Sequence, residues 1–224
     1  MIEITNLEIG YKSKGKHNTV FTGINLHLKA GDLVGLIGDN GIGKSTLLKT
    51  ITGNLAPLSG DIKINNKNSS QFTAQQLAQL LSIVVTEKIG GFNLTVWDVV
   101  ATGRTPYINI FGKLTPEDEI IVTKALEQLN LLPLKDKLID ELSDGQRQKV
   151  MIAKALAQQT PIIVLDEPTA FLDHTSKHHL FATLQQLCAE QGKLIIVSSH
   201  DLELMKTYIN RSVTMAEGNK MEAL

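Results

Sequence analysis

The chain has 224 residues, 42% of them hydrophobic and 20% charged, which is the balance of a globular protein with a real core. Its net charge of −1 excludes an overall basic field of the kind that draws a protein to nucleic acid or anionic lipid. One cysteine, Cys188, excludes an internal disulfide and a thiolate zinc cluster, and it reads as a small buried residue on a helix.

In chain order, the start Met1-Ile2-Glu3-Ile4-Thr5 lacks the basic residues and apolar core of a secretion signal. Residues 2–9 and 24–28 alternate with period two and predict antiparallel strands. Leu33–Ile37, 83–85, 162–165 and 194–197 are short, β-branched apolar runs, expected for strands covered on both faces. All are far shorter than the roughly 20 residues that span a bilayer, so a cytosolic protein is expected, with another chain supplying any membrane. Helical patterns lie between them. Residues 44–52 read as a helix stopped by Gly53, and 65–70 as an exposed turn. Thr115-Pro116-Glu117-Asp118 is a helix start, with Ile121, Ala125, Leu129 and Leu132 on one face beyond it. A helix over 147–158 and another from His174 to Glu190, ended by Gly192, complete the series. Strands alternating with helices predict an α/β fold with a mostly parallel sheet. Strand signals fade over 92–159, which reads as an inserted helical lobe.

Three segments carry chemistry. Gly38-Asp39-Asn40-Gly41-Ile42-Gly43-Lys44-Ser45-Thr46 follows an apolar strand and opens a helix, the context a phosphate loop requires. Its glycines let successive N–H groups point at phosphate oxygens, and the helix start adds positive potential. Lys44 can reach β and γ phosphates, and the Ser45 hydroxyl can ligate Mg²⁺. Second, the strand at 162–165 runs into Asp166 and Glu167: Asp166 is placed to hold Mg²⁺ and Glu167 to act as general base on a water. Third, Leu142-Ser143-Asp144-Gly145-Gln146 opens a helix with a capping box and is also an anion site.

That third segment resembles the LSGGQ signature of ATP-binding cassette proteins, with Asp144 where the first glycine is usual. The resemblance runs in order over nearly the whole chain. Tyr11 matches the aromatic residue that stacks on adenine. Asp173, in Ala170-Phe171-Leu172-Asp173, matches the aspartate of the loop after the acidic strand. His200 matches the switch histidine that contacts the γ-phosphate; His178 and His179 have no matching role and are expected at the surface. The family's usual glutamine after the strand at 83–85 falls on Thr86, with Glu87 beside it, so its magnesium contact passes to one of these two or is lost.

The resemblance implies a P-loop NTPase with a RecA-like parallel core, an N-terminal antiparallel β subdomain and an inserted helical subdomain. Residues 1–91 and 160–224 would form the core and 92–159 the helical part. It implies an ATP hydrolase using ATP and Mg²⁺, with Lys44, Glu167 and His200 catalytic. Two chains would clasp ATP face to face, each loop at 38–46 completed by Ser143, Asp144, Gly145 and Gln146 of the other. Residues 99–107, with Gly103-Arg104-Thr105-Pro106, resemble ATPases of iron–siderophore, haem and cobalamin importers. Those are peripheral on the inner face of the cell membrane and serve a many-helix permease and a substrate-binding protein. The alternative is a soluble cassette without a permease, such as an iron–sulfur cluster assembly ATPase. The chain ends soon after His200, and no regulatory domain is expected.

Overall fold

The computed structural model describes residues 1–13, 16–85, 93–108, 112–218 and 220–223. Ten strands and seven α-helices are defined among them. β1 (Ile2–Ser13), β2 (Lys16–Leu28), β4 (Ser59–Ile64) and β5 (Lys67–Asn68) form an antiparallel sheet in the order β2-β1-β4-β5. The turn before β5 is made by Asn65 and Asn66, both at positive φ, a conformation asparagine tolerates.

The second sheet has the order β10-β9-β3-β8-β7-β6. It contains β3 (Leu33–Ile37), β6 (Leu81–Val84), β7 (Ile162–Asp166), β8 (Leu194–Ser198), β9 (Arg211–Ala216) and β10 (Lys220–Ala223). All neighbours are parallel except β9 and β10. β6 begins two residues before the expected strand because Leu81 pairs with Ile162, which carries the ladder back to the end of the preceding helix.

Alternate residues of the parallel strands enter opposite cores, as the period of a strand requires. Leu33, Ile163, Leu165, Ile195 and Val197 pack on one face with α3 (Val96–Ala101), α4 (Pro116–Gln128), α5 (Asp144–Ala157), α6 (His174–Gln191) and α7 (Leu202–Tyr208). Val34, Leu36, Ile162, Val164 and Ile196 pack on the other with α1 (Lys44–Ile51) and the antiparallel sheet. α2 (Ala74–Leu80) leads into β6. With both faces covered, the strands read as unbroken apolar runs. Cys188 lies on the buried face of α6, and burial pushes its thiol pKa up to about 11, so it is an inert core residue.

Between β6 and β7 the described chain is helical. In α4 the buried positions are Asp118, Val122, Ala125 and Leu126, followed by Leu129. Ile121 and Leu132 are only partly buried; α4 ends at Gln128, and a 3₁₀ turn carries Leu132 off its axis. Arg104, in the segment whose pattern resembles importer ATPases, is 5% exposed. Its Nε donates to Asp118 Oδ1 at 2.8 Å, its Nη1 donates to Ala157 O at 2.8 Å, and its guanidinium lies 4.3 Å from the Tyr107 ring centre. Pro106 O next to it accepts from Gln75 and Gln79 of α2. The segment therefore fastens α2, α4 and α5 together.

Candidate functional site

Parallel pairing of β3, β8 and β7 delivers three loops to one sheet edge, the carboxyl edge where open α/β sheets take ligands. After β3 comes the loop 38–46. Its helix, α1, has Gly43 as N-cap at φ 116° and no side-chain cap. The other six α-helices are all capped by a Ser, Thr or Asp side chain. The first N–H groups of α1 are thus the set left for a ligand. A side chain at Gly43 would need φ in the left-handed region and would put a Cβ 2.7 Å from Val20 Cγ1. Lys44, 5% exposed, folds back so that Nζ donates to Gly38 O at 2.7 Å and Asp39 O at 3.0 Å. Ser45 is exposed, as are Asp39, Asn40 and Gly41, while Ile42 is half-buried. Tyr11, on β1 and 47% exposed, brings its hydroxyl to 3.3 Å from Thr46 Oγ1, beside the start of the same helix.

After β7 and β8 come the acids and the histidine. Ser198, fully buried, donates its hydroxyl to Asp166 Oδ1 at 2.7 Å and accepts the Glu167 N–H at 2.9 Å. Asp166 and Ser198 are direct partners in the parallel register, so the bridge follows from the sheet itself. Glu167 sits at φ 48°, a left-handed conformation that costs a non-glycine residue about 1–3 kcal/mol. That turn sends its carboxylate out over the edge, where Oε1 meets His200 Nε2 at 2.5 Å. A cleft of about 430 Å³ opens between the loop after β3 and the loop after β8, beside the end of β9, lined by Gly38, Asp39, Asn40, Ser199, His200 and Met215. Ser198 carries no local sequence signal; its role depends on the register that pairs it with Asp166.

Ser198→Ala is expected to lower stability by about 1–3 kcal/mol, the cost of stranding a buried partner. Turnover should fall while nucleotide affinity holds. Urea unfolding and steady-state hydrolysis measure the two effects separately.

A second group of site residues is tied together elsewhere. Ser143 caps α5: its hydroxyl accepts from Gln146 N at 3.3 Å, and Gln146 Oε1 accepts from Ser143 N at 3.0 Å. Asp144, in the unusual position, pairs with Arg147 at 2.6 Å on the exposed face. Gly145 is required by close approach, since a Cβ there would lie 2.6 Å from Phe171 O. The signature thus packs on the loop 170–173. Asp173 ends that loop and caps α6, accepting from Ser176 Oγ at 2.7 Å and Ser176 N at 2.9 Å. The Ser176 hydroxyl and N–H hold the Asp173 carboxyl below the usual range. His179 is exposed as expected, but His178 is half-buried against Tyr208. Thr86 and Glu87 lie outside the described residues.

The pattern of the ABC transporter family matches residues 21–170. The chain belongs to the ABC transporter family. This cassette is 43% identical over 204 residues to an uncharacterised ABC transporter ATP-binding protein of Methanocaldococcus jannaschii, covering 91% of this chain and 69% of that one. It is 36% identical over 217 residues to the achromobactin transport ATP-binding protein of Dickeya dadantii, covering 96% and 79%. It is 34% identical over 212 residues to the ferric enterobactin transport ATP-binding protein of Escherichia coli, covering 95% and 77%. Among solved structures, an inward-facing metal-chelate type ABC transporter superposes with a TM-score of 0.84 at 28% identity, covering all of this chain and 82% of that one. A dimeric bacterial ABC transporter cassette superposes at 0.86 with 27% identity, covering 99% and 98%. The P-loop NTPase fold expected from the motifs is the fold found.

Proposed function

We propose that this cassette is the ATP-hydrolysing subunit of an importer for an iron–siderophore or a related metal chelate such as haem or cobalamin. The observation that carries hydrolysis is the cluster Asp166–Ser198–Glu167–His200 set across the sheet edge from the 38–46 loop. The cargo class is supported by the relatives whose names specify achromobactin and ferric enterobactin transport.

ATP places its β and γ phosphates on the N–H groups of 38–46 and the uncapped start of α1. Lys44 Nζ exchanges two loop carbonyls for phosphate oxygens, and Tyr11 stacks on adenine. Glu167 takes a proton from water as the water oxygen bonds to the γ phosphorus, and the bond to the β-phosphate oxygen breaks, releasing ADP. His200, already on the Glu167 carboxylate, holds it in place and contacts the γ-phosphate. The Ser45 hydroxyl and Asp166 carboxylate are hard oxygen donors that suit Mg²⁺, which when bound neutralises charge on the β and γ oxygens.

Ser143, Asp144, Gly145 and Gln146 of a second copy complete the site, giving a C₂ dimer with two equivalent sites. Hydrolysis removes the bridging γ-phosphate and lets the pair open, so ATP biases a two-state equilibrium. Residues 1–91 and 160–224 act as the core and 92–159 as the helical subdomain. No helix among the described residues is long and apolar enough to cross a membrane. The dimer works peripherally, on the inner face, against a permease fed by a substrate-binding protein.

Reconstituted in liposomes with its permease and binding protein, the cassette is expected to drive ATP-dependent uptake of one chelate among a ferric siderophore, haem and cobalamin. Lys44→Ala should abolish it. ATP turnover without uptake of any of the three would overturn the cargo class and leave the hydrolase standing.

A further inference from the structure

Two imidazoles share one face of α6, immediately after Asp173. His174 and His178 are four residues apart, on successive turns, with ring centres 4.5 Å apart. Their Nε2 atoms face each other at 3.2 Å. On its other edge, His178 Nδ1 lies 3.0 Å from the Tyr208 hydroxyl of α7. Neither histidine takes part in the nucleotide chemistry above.

The 3.2 Å spacing is informative. Two imidazole nitrogens on one tetrahedral ion, each roughly 2.0–2.1 Å from it, stand about 3.3 Å apart. The pair therefore needs almost no movement to close on an ion. Tyr208 can supply what a histidine ligand needs behind it: in the tautomer whose Nδ1 proton its hydroxyl accepts, the Nε2 lone pair faces His174. His174 is exposed and His178 half-buried, so one ligand is anchored and the site is open to solvent.

Charge around the pair is mixed. The Asp201 carboxylate caps α7 and interacts with the His178 side chain, a field that favours a cation. Lys177, bonded to Asp201 at 3.3 Å, and the N-terminal end of α6 oppose it. Among the described residues no His, Cys, Asp or Glu joins the pair to make a three-ligand group, so water fills the other positions.

We propose that His174 and His178 form a reversible two-histidine site for a divalent transition-metal ion of the imidazole-binding class, such as Zn²⁺ or Ni²⁺. An ion there clips together the first two turns of α6, the helix whose cap is Asp173.

The test is calorimetric titration of the tag-free, nucleotide-free chain with Zn²⁺. One ion per chain is expected, with Kd at least tenfold weaker in both His174→Ala and His178→Ala. Tyr208→Phe, which keeps both ligands, should weaken binding about tenfold. His200→Ala should leave this ion in place, which separates the pair from the His200–Glu167 contact. Circular dichroism melts establish that each variant is folded. Unchanged affinity in folded His174→Ala, loss only in His200→Ala, or no uptake by the parent at millimolar Zn²⁺ would each overturn the proposal. In the last case the pair merely shares a proton.

Discussion

Glu167→Gln is expected to lower ATP turnover by about 10²–10⁴-fold, the range for losing a positioned general base. ATP affinity should stay within a few-fold of the parent. The substitution is nearly isosteric, so the φ of 48° at this residue and its N–H bond to Ser198 are retained. The amide oxygen still accepts from His200, where the carboxylate now sits. Only proton acceptance is lost. Phosphate release in a single turnover, with ATP pre-bound, isolates that step from binding and product release. Hydrolysis at the parent rate would remove Glu167 from the role of base.

Arg104→Met should cost about 3–5 kcal/mol of stability, because it leaves a buried carboxylate without its cation. Arg104 and Asp118 side chains are 7% and 9% exposed, so solvent cannot replace the lost partner. Ala157 O loses a donor as well. Arg104→Lys is not a rescue, since one ammonium cannot span both Asp118 and Ala157 O as the fork does. Arg104→Met with Asp118→Leu should recover most of the loss, since removing both charges is often near neutral. The remainder is about 2 kcal/mol, because Ala157 O still lacks its donor and Asp118 no longer accepts from Thr115 N and Oγ1 in the box that caps α4. Those Thr115 bonds, then Arg104, hold the Asp118 pKa below its ordinary value. Its stabilisation is therefore complete above about pH 4 and lost as pH falls through the lowered folded-state pKa. Urea midpoints at pH 7 and across the acid range measure both effects.

What was legible in the sequence follows from burial. The central strands β3, β7 and β8 are covered on both faces and announce themselves as apolar runs. The half-exposed strands β4 and β9 do not. α2 buries no residue fully, so it has no apolar stripe to read. The phosphate loop was readable because its glycines and lysine are local in sequence. The Ser198 bridge was not, because it joins residues 32 apart through register. Arg104 could be read only as a motif match, since its partners lie 14 and 53 residues away. His178 was expected at the surface, but the aromatic face of Tyr208 half covers it.

On the proposed mechanism, each ATP is held between the 38–46 loop of one chain and Ser143–Gln146 of another. Sedimentation of Glu167→Gln with saturating ATP tests it most directly. The expected result is a dimer that forms with ATP, dissociates with ADP, and fails to form when Ser143→Arg is added although the monomer still binds ATP. A Glu167→Gln chain that stays monomeric in ATP, or a dimer that survives Ser143→Arg, would contradict it.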